Sequence, residues 1–350
     1  MACNILGLNF SHNSSACVLS NGKTVFFLEE DRLSRIKNDL FPLKLINYIS
    51  ENFTIDKIVI SGLSDFGIHR DDCHHLSNKY FKNKPVIDLY DSHHMCHSFL
   101  ALKNSGFSEC LSIVIDGSGS QFFSKENGVF YETESIFSYP ENNINPKVVY
   151  RSYRTNNGKT DLLTFSKVYE VLTRELGFGF LEAGKTMGLS SYGKPNPQIP
   201  NLYLGQKGNP DVFETDNGGT DGKLKKKYNF LLNGQQNKSD LAYKVQTESQ
   251  ENVGNLIDEV VKKTNIKNIC CSGGYFLNCV SNYYLTKRFP DINFYFEPIS
   301  SDAGNAIGAA KIGWFLETQD ETINSQKTLY YGTKYTKKQL LKGIKKYVDN

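Results

Sequence analysis

Residues 4–30 read NILGLNFSHNSSACVLSNGKTVFFLEE. Residues 4–10 form an apolar run that predicts a strand, and the polar loop Ser11-His12-Asn13-Ser14-Ser15 follows it. A second strand, ACVLS, leads to Asn21-Gly22, and a third, TVFFLEE, follows. Asn-Gly between apolar runs predicts a type I′ hairpin, because both central residues must take positive φ. The same order returns at residues 111–137, LSIVIDGSGSQFFSKENGVFYETESIF. Here a strand ends in Asp116, the glycine-rich loop Gly117-Ser118-Gly119-Ser120 follows, and QFFSK and VFYETESIF flank a turn at Glu126-Asn127-Gly128. Two copies of one device predict two similar lobes, residues 1–110 and 111–335, with 336–350 beginning a linker or tail. Backbone N–H groups of such polar loops can cradle phosphates.

The remaining segments extend an α/β pattern. IDKIVISG and KPVIDLYD read as strands, and residues 92–104 as a helix. Leu162, Phe165, Val168, Leu172 and Leu176 have helical spacing, as do Leu241, Val245, Val253, Leu256, Val260 and Val261 within 238–264. Residues 195–236, rich in Pro, Gly, Asn and Lys, predict a long irregular excursion. A final block has a strand at 266–271 running into Ser272-Gly273-Gly274, a helix starting near Phe276 or Leu277, a strand at 292–296, and the tightly packed helix AIGAAKIGWF. Ligands of open α/β sheets sit at the carboxyl ends of strands. Asp116, Gly273-Gly274 and Asp302 occupy such positions.

Composition excludes several classes. The 350 residues carry a net charge of +3 with acids and bases intermixed, so no basic stripe for nucleic acid is present. Lys225-Lys226-Lys227 reads as a solvated loop. No run is apolar for long enough to span a membrane, and the N-terminus lacks the pattern of a secretory signal. A cytoplasmic protein is expected. The cysteines are scattered without a CxxC pair, and Cys17, Cys110, Cys270, Cys271 and Cys279 sit in apolar surroundings, which predicts buried free thiols.

Six of the seven histidines lie between residues 69 and 97. His93 and His97 are four apart near the start of the 92–104 helix, which puts both rings on one face. Two imidazoles so placed can chelate a divalent cation, and carboxylates such as Asp116 and Asp302 would complete the site. Alone, the pair is a weak signal that also reads as structural or on the surface, Asp116 as a turn residue or cap and Asp302 as a helix cap. His12, in the first loop, can serve as a proton acceptor or simply bond within the loop. Gly273 and Gly274 allow close approach of a phosphate or ribose, or form an ordinary turn. Asn278 and Asn282 share the next helix and could face a nucleotide. Arg32, Arg35 and Lys37 could hold an anion or form a solvated edge. His69, His74 and His75, with no matching carboxylate pattern, read as surface residues.

Taken in order, GLNFSHNSSACVL, EEDRLSRIKNDLFP, DSHHMCHSFLAL, IVIDGSG, EAGKTMGLSSYGKP, CCSGGYFLNCVSN and SSDAGNAIGAA resemble the NodU/CmcH family of O-carbamoyltransferases, from about residue 5 to about residue 335. The resemblance implies a two-lobed actin/hsp70/sugar-kinase fold with duplicated ribonuclease H-like subdomains. It implies a metal, usually iron, held by His93, His97, Asp116 and Asp302. It further implies catalytic roles for His12 and Lys37, and nucleotide contacts from Lys185, Gly188, Gly273, Gly274, Asn278 and Gly304. Two positions depart from the family pattern: His-Asp is here His12-Asn13, and Lys-His-Asp is Lys37-Asn38-Asp39. Both departures remove a proton or charge partner.

The expected activity is transfer of a carbamoyl group from carbamoyl-adenylate to a hydroxyl of a small metabolite or sugar, releasing AMP. Family members carry a second, YrdC-like domain that makes the adenylate from carbamoyl phosphate and ATP. The sequence matches only the first domain, so a fragment, a split enzyme with a separate adenylating partner, or a protein without the first half-reaction is expected. A sugar kinase or ATPase on the same fold, and a non-catalytic nucleotide-binding module, are the alternatives.

Overall fold

Asn21 and Gly22 take φ of 49° and 76°, the positive values a type I′ turn requires, and join Ser20 to Lys23. The computed structural model describes residues 3–63, 67–124, 128–141, 143–155, 163–215, 222–323, 328–329 and 335–348. The turn lies within a meander of β1 (Asn4–Phe10), β2 (Ser15–Ser20) and β3 (Lys23–Glu29). The chain continues through α1 (Asp31–Ser34), α2 (Leu43–Asn52), β4 (Lys57–Gly62), α3 (Arg70–Tyr80), β5 (Val86–Asp88) and α4 (His93–Ser105). The first sheet has the order β3-β2-β1-β4-β5, with β1 pairing parallel to β4 and β4 parallel to β5.

The second half opens with β6 (Cys110–Ile115), β7 (Gln121–Ser124), β8 (Gly128–Tyr139) and β9 (Lys147–Thr155). Next come α5 (Phe165–Glu175), α6 (Ala183–Ser190) and two short hairpins, β10 (Tyr203–Leu204) with β11 (Lys207–Gly208) and β12 (Phe213–Thr215) with β13 (Gly222–Leu224). The long α7 (Gln235–Thr264), β14 (Asn268–Ser272), α8 (Cys279–Arg288), β15 (Asn293–Phe296), α9 (Gly304–Thr318) and α10 (Lys337–Val348) complete the order.

The two copies in the sequence become two related sheets, with one strand reassigned. In the second sheet β6 pairs with β8, not with β7, and β9 pairs with the far side of β8. The order β9-β8-β6-β14-β15 therefore repeats β3-β2-β1-β4-β5, with the same antiparallel and parallel pairings. VFYETESIF is thus the second strand of its copy, not the third. β8 is long enough to pair β7 through Gly128–Tyr131 and β6 through Glu134–Tyr139, so β7 is an added ribbon at the edge. Glu126 and Asn127, expected in the turn between them, lie outside the described residues.

Each sheet is hydrophobic on both faces and so must be covered twice. Leu6, Leu8 and Ile58 of the first sheet pack with Leu45, Ile46 and Ile49 of α2. Leu111, Ile113 and Ile269 of the second pack with Val168 and Leu172 of α5 and Val253 and Ile257 of α7. Between the sheets, Ile5 and Val59 on one side and Val114 and Phe137 on the other close over α4 and α9. These two helices exchange sheets: α4 packs on β6 and β14, whereas α9 packs on β1, β2 and β4. The lobes read as 1–110 and 111–335 are therefore interlocked in space, with residues 304–318 lying on the first sheet. Small residues make that layer thin. A Cβ on Gly308 would sit 2.1 Å from the Cys96 carbonyl oxygen, and one on Gly7 would sit 2.0 Å from that of Ala306.

Other expectations change in detail. The excursion at 195–236 contains the two hairpins and a 3-10 turn over Lys226–Leu232; strands of two or three residues carry no readable alternation. Lys225 is tied by its Nζ to the Pro210 carbonyl at 2.6 Å. Cys17, Cys110, Cys270 and Cys271 are buried, but Cys279 is exposed because it opens α8 on the face away from the core. His74 is half-buried and meets Asp88 at 2.8 Å, a carboxylate brought beside it from β5. Residues 274–277 form a 3-10 turn, and α8 begins at Cys279. Residues 337–348, expected within a tail, form α10.

Candidate metal centre and cleft

The pairing of α4 with α9 brings their first turns together where β1 and β6 end. His93 is the first residue of α4, His97 lies one turn on, Asp116 follows β6, and Asp302 precedes Ala303, the N-cap of α9. All four are buried. His93 Nε2 lies 3.4 Å from Asp302 Oδ1 and 3.6 Å from Asp116 Oδ2. His97 Nε2 lies 3.3 Å from Asp116 Oδ2 and 3.6 Å from Asp302 Oδ1. One ligand atom from each residue falls within 4.8 Å of all the others.

Neighbouring polar groups hold the two histidines and Asp116. Ser272 Oγ is 3.1 Å from His97 Nδ1, and the Asn305 amide nitrogen lies beside the His93 ring, 3.3 Å from Nδ1 and 3.4 Å from Nε2. The His93 backbone N–H donates to Ser120 Oγ at 2.9 Å, and Asp116 Oδ1 accepts from Gly117 N–H at 2.7 Å. These contacts leave His97 Nε2, Asp116 Oδ2 and Asp302 Oδ2 buried without a hydrogen-bond partner. The 3.3–3.6 Å separations exceed good hydrogen-bond lengths. They are of the size expected between adjacent ligand atoms that share one ion at roughly 2.0–2.2 Å. The donor set, two imidazoles and two carboxylates, suits a divalent first-row metal.

The electrostatics make the same demand. Burial alone lowers the His93 pKa, but Asp302 and Asp116 outweigh it and hold the imidazole at about 10. His97 is raised by the same two carboxylates against the same burial. Burial pushes Asp116 and Asp302 up, and the neighbouring imidazoles nevertheless hold both below the ordinary carboxylate range. Two buried carboxylates require compensating positive charge, supplied by protons on the imidazoles or by a cation that replaces them.

Asp116 and Asp302 also line a cleft of about 410 Å³. His12, after β1, lines it too, with Nδ1 3.5 Å from Asp302 Oδ2. Asn13 and Asn38, the two departures from the family pattern, stand on the same wall. Gly274 is a wall residue, and a Cβ there would lie 3.2 Å from Asp116 Oδ1. Asn278 lines the cleft, but its amide also caps α8 through Ser281 N–H and donates to Gln246 Oε1 at 2.8 Å.

Several sequence candidates stand outside the wall. Lys37 is exposed on the loop after α1. Lys185 is exposed and paired with Glu182 at 2.6 Å, and Gly188 is exposed; within the same motif Ala183, Gly184 and Met187 line the cleft instead. Gly273, at φ 97°, serves the packing of β14 on β6, since a Cβ would fall 2.4 Å from the Ile115 carbonyl oxygen. Gly304 packs likewise, with a Cβ position 2.2 Å from the Ile299 oxygen. Asn282 turns back to the Phe276 carbonyl at 2.8 Å. Conversely, the structure adds Lys167, Tyr169, Glu170 and Tyr275 to the wall. Lys167 and Glu170 lie off the apolar stripe of their helix, and only the neighbouring strands decide which side opens to the cleft.

Known proteins resemble this chain over most of its length. The family model described as carbamoyltransferase N-terminus matches residues 72–311, more than half of the chain. The chain is similar to nodulation protein NolNO of Sinorhizobium fredii, at 26% identity over 86% of this chain and 46% of that protein. It is similar to the uncharacterized proteins sll1178 of Synechocystis, at 25% over 96% and 62%, and MJ1051 of Methanocaldococcus jannaschii, at 27% over 94% and 60%. The chain thus spans about half to three fifths of these relatives' lengths. Among solved structures, full-length HypF in its phosphate- and nucleotide-bound form aligns with TM-score 0.51 at 14% identity, over 91% of this chain and 56% of that one. The activator of 2-hydroxyisocaproyl-CoA dehydratase from Clostridium difficile, with bound ADPNP, aligns with TM-score 0.50 at 12%, over 94% of this chain and 100% of that one. These likenesses show the actin/hsp70/sugar-kinase type of fold, and the duplicated sheets with exchanged helices are its expression here. By the match across residues 72–311, the chain belongs to the carbamoyltransferase family as a form of its N-terminal domain.

Proposed function

We propose that the cleft binds carbamoyl-adenylate and passes its carbamoyl group to a hydroxyl of a small metabolite or sugar. The observation that carries this reading is the convergence of His93, His97, Asp116 and Asp302 at the wall of a cleft that also holds His12. His93, His97, Asp116 and Asp302 would hold a divalent ion, ferrous iron by the family resemblance, whose chemistry is Lewis-acid polarisation of an oxygen of the ligand.

The chain's own residues account for the rest. Asp302 Oδ2 lies 3.5 Å from His12 Nδ1, and His12 is the group that would take the acceptor's hydroxyl proton. The acceptor oxygen bonds to the carbamoyl carbon, the bond from that carbon to the phosphate oxygen breaks, and AMP leaves with the electron pair. Asn13 and Asn38 can donate and accept hydrogen bonds to hydroxyls of the acceptor. Carbamoyl phosphate and ATP would be the ultimate source of the adenylate, formed by a YrdC-like domain or chain acting with this one.

The test supplies the purified chain with preformed carbamoyl-adenylate, ferrous iron and a panel of hydroxylated acceptors. The expected product is a carbamoylated acceptor plus AMP. His97→Ala should abolish it, and His12→Asn should slow it by roughly 10²–10⁴-fold while metal content is kept. Steady ATP cleavage without any carbamoylated product would contradict the reading and favour a kinase or ATPase.

A further inference from the structure

Lys167 sits in the first turn of α5, is 6% exposed, and takes no part in the transfer chemistry above. Among the described residues lining the cleft it is the only lysine or arginine. Its neighbour Ser166 donates its hydroxyl to the Asp116 carbonyl at 2.6 Å, which fixes the start of α5 against the metal-centre loop. Lys167 Nζ bonds Glu170 Oε2 at 2.8 Å and stands 5.5 Å from the centre of the Phe180 ring. That carboxylate oxygen in turn lies 3.7 Å from where a Gly117 Cβ would be. The ammonium is thereby held in the cleft wall, near the residue that follows Asp116.

A lysine and glutamate three apart on a helix are commonly only a surface pair of small worth. Here Lys167 is buried and Glu170 half-buried in a cleft wall, where desolvating charge is costly and a hydrophobic pair of similar volume would serve packing at least as well. The other charged groups on the described wall are Asp116, Asp302 and Glu170, with His12. An anionic ligand would meet three carboxylates there and a single side-chain ammonium.

We propose that Lys167, steered by Glu170, is the counter-charge for the phosphate of the bound adenylate. The inference rests on the carbamoyl-adenylate reading and deepens it. The mixed anhydride carries one negative charge on its phosphate, and the departing AMP carries nearly two. When the bond between carbamoyl carbon and phosphate oxygen breaks, the electron pair stays on that oxygen, so a fixed ammonium beside it interacts more strongly as transfer proceeds. Lys167 would therefore hold the donor and favour departure of the leaving group.

Calorimetric titration of AMP and of adenosine into the full chain separates the phosphate contribution from that of the nucleoside. Lys167→Met is expected to raise the Kd for AMP at least about tenfold and to leave that for adenosine within about twofold. Lys167→Arg should recover part of the loss, and metal content should match wild type throughout. Lys167→Gln carries the same test if the methionine variant does not fold. Equal weakening of AMP and adenosine, or no weakening of AMP, would overturn the role of Lys167 and leave the adenylate reading standing. Wild type that binds neither compound would overturn both.

Discussion

Ser272 decides which nitrogen of His97 faces the two carboxylates. Its hydroxyl at 3.1 Å engages Nδ1 and leaves Nε2 directed at Asp116 and Asp302. Outer contacts of this kind fix tautomer and ring orientation, and their loss commonly costs about 10–100-fold in metal affinity. Ser272→Ala should therefore weaken ferrous-ion binding by about that factor, read by competition with a chromophoric chelator, with an unchanged far-ultraviolet spectrum. Unchanged affinity would show that packing alone orients the ring. His94 stands beside these ligands without joining them. Its Nδ1 lies 2.9 Å from Ser135 Oγ, and burial outweighs the nearby Glu132 to bring its pKa down to about 4. One place along α4 separates a candidate ligand from a neutral, structural imidazole.

At the scale of elements, the crossing of α4 and α9 sets the geometry of the centre. Gly308 touches the Cys96 backbone so closely that a single methyl group must push the helices apart. Gly308→Ala should destabilise the fold by about 1–3 kcal/mol in chemical denaturation, and it should also lower metal affinity, because the helix starts carry three of the four ligand positions. Retained affinity in a destabilised variant would separate the crossing from the site. The opposite end of α4 provides a pH test. Lys103 donates to the carbonyls of Asp320 and Thr322 at 3.1 and 3.0 Å, and burial lowers its pKa to about 8 despite the opposing Asp320. Between about pH 8 and the ordinary lysine value near 10.4 the unfolded chain binds the proton that the folded chain has lost. Stability of wild type relative to Lys103→Met should therefore rise with pH across that window, by at most about 1.4 kcal/mol per unit. Parallel pH profiles would contradict the shift.

For the whole molecule, the sequence and the structure agree most where local chemistry is decisive. The Asn21-Gly22 turn, the β1 strand and the convergence of His93, His97, Asp116 and Asp302 could be read from residue type, spacing and the ordered motifs. The reassigned β8 could not, because pairing with β6 or with β7 depends on partners distant from any local pattern. The cleft wall at Lys167 and Glu170 was hidden for a related reason: α5 shows a regular core stripe, and its other side acquires meaning only once β6 places Asp116 beside it. Lys185, Gly188 and Gly304 show the converse, since a motif marks a neighbourhood without saying which of its side chains enters the cleft. The account's central claim is that residues from one strand end and two helix starts hold one divalent ion. The most direct test is anaerobic loading with ferrous iron, desalting and metal analysis of wild type, His93→Ala and Asp302→Asn. The account predicts about one iron per wild-type chain and less than about a tenth of that in either variant. Equal iron in all three would contradict it.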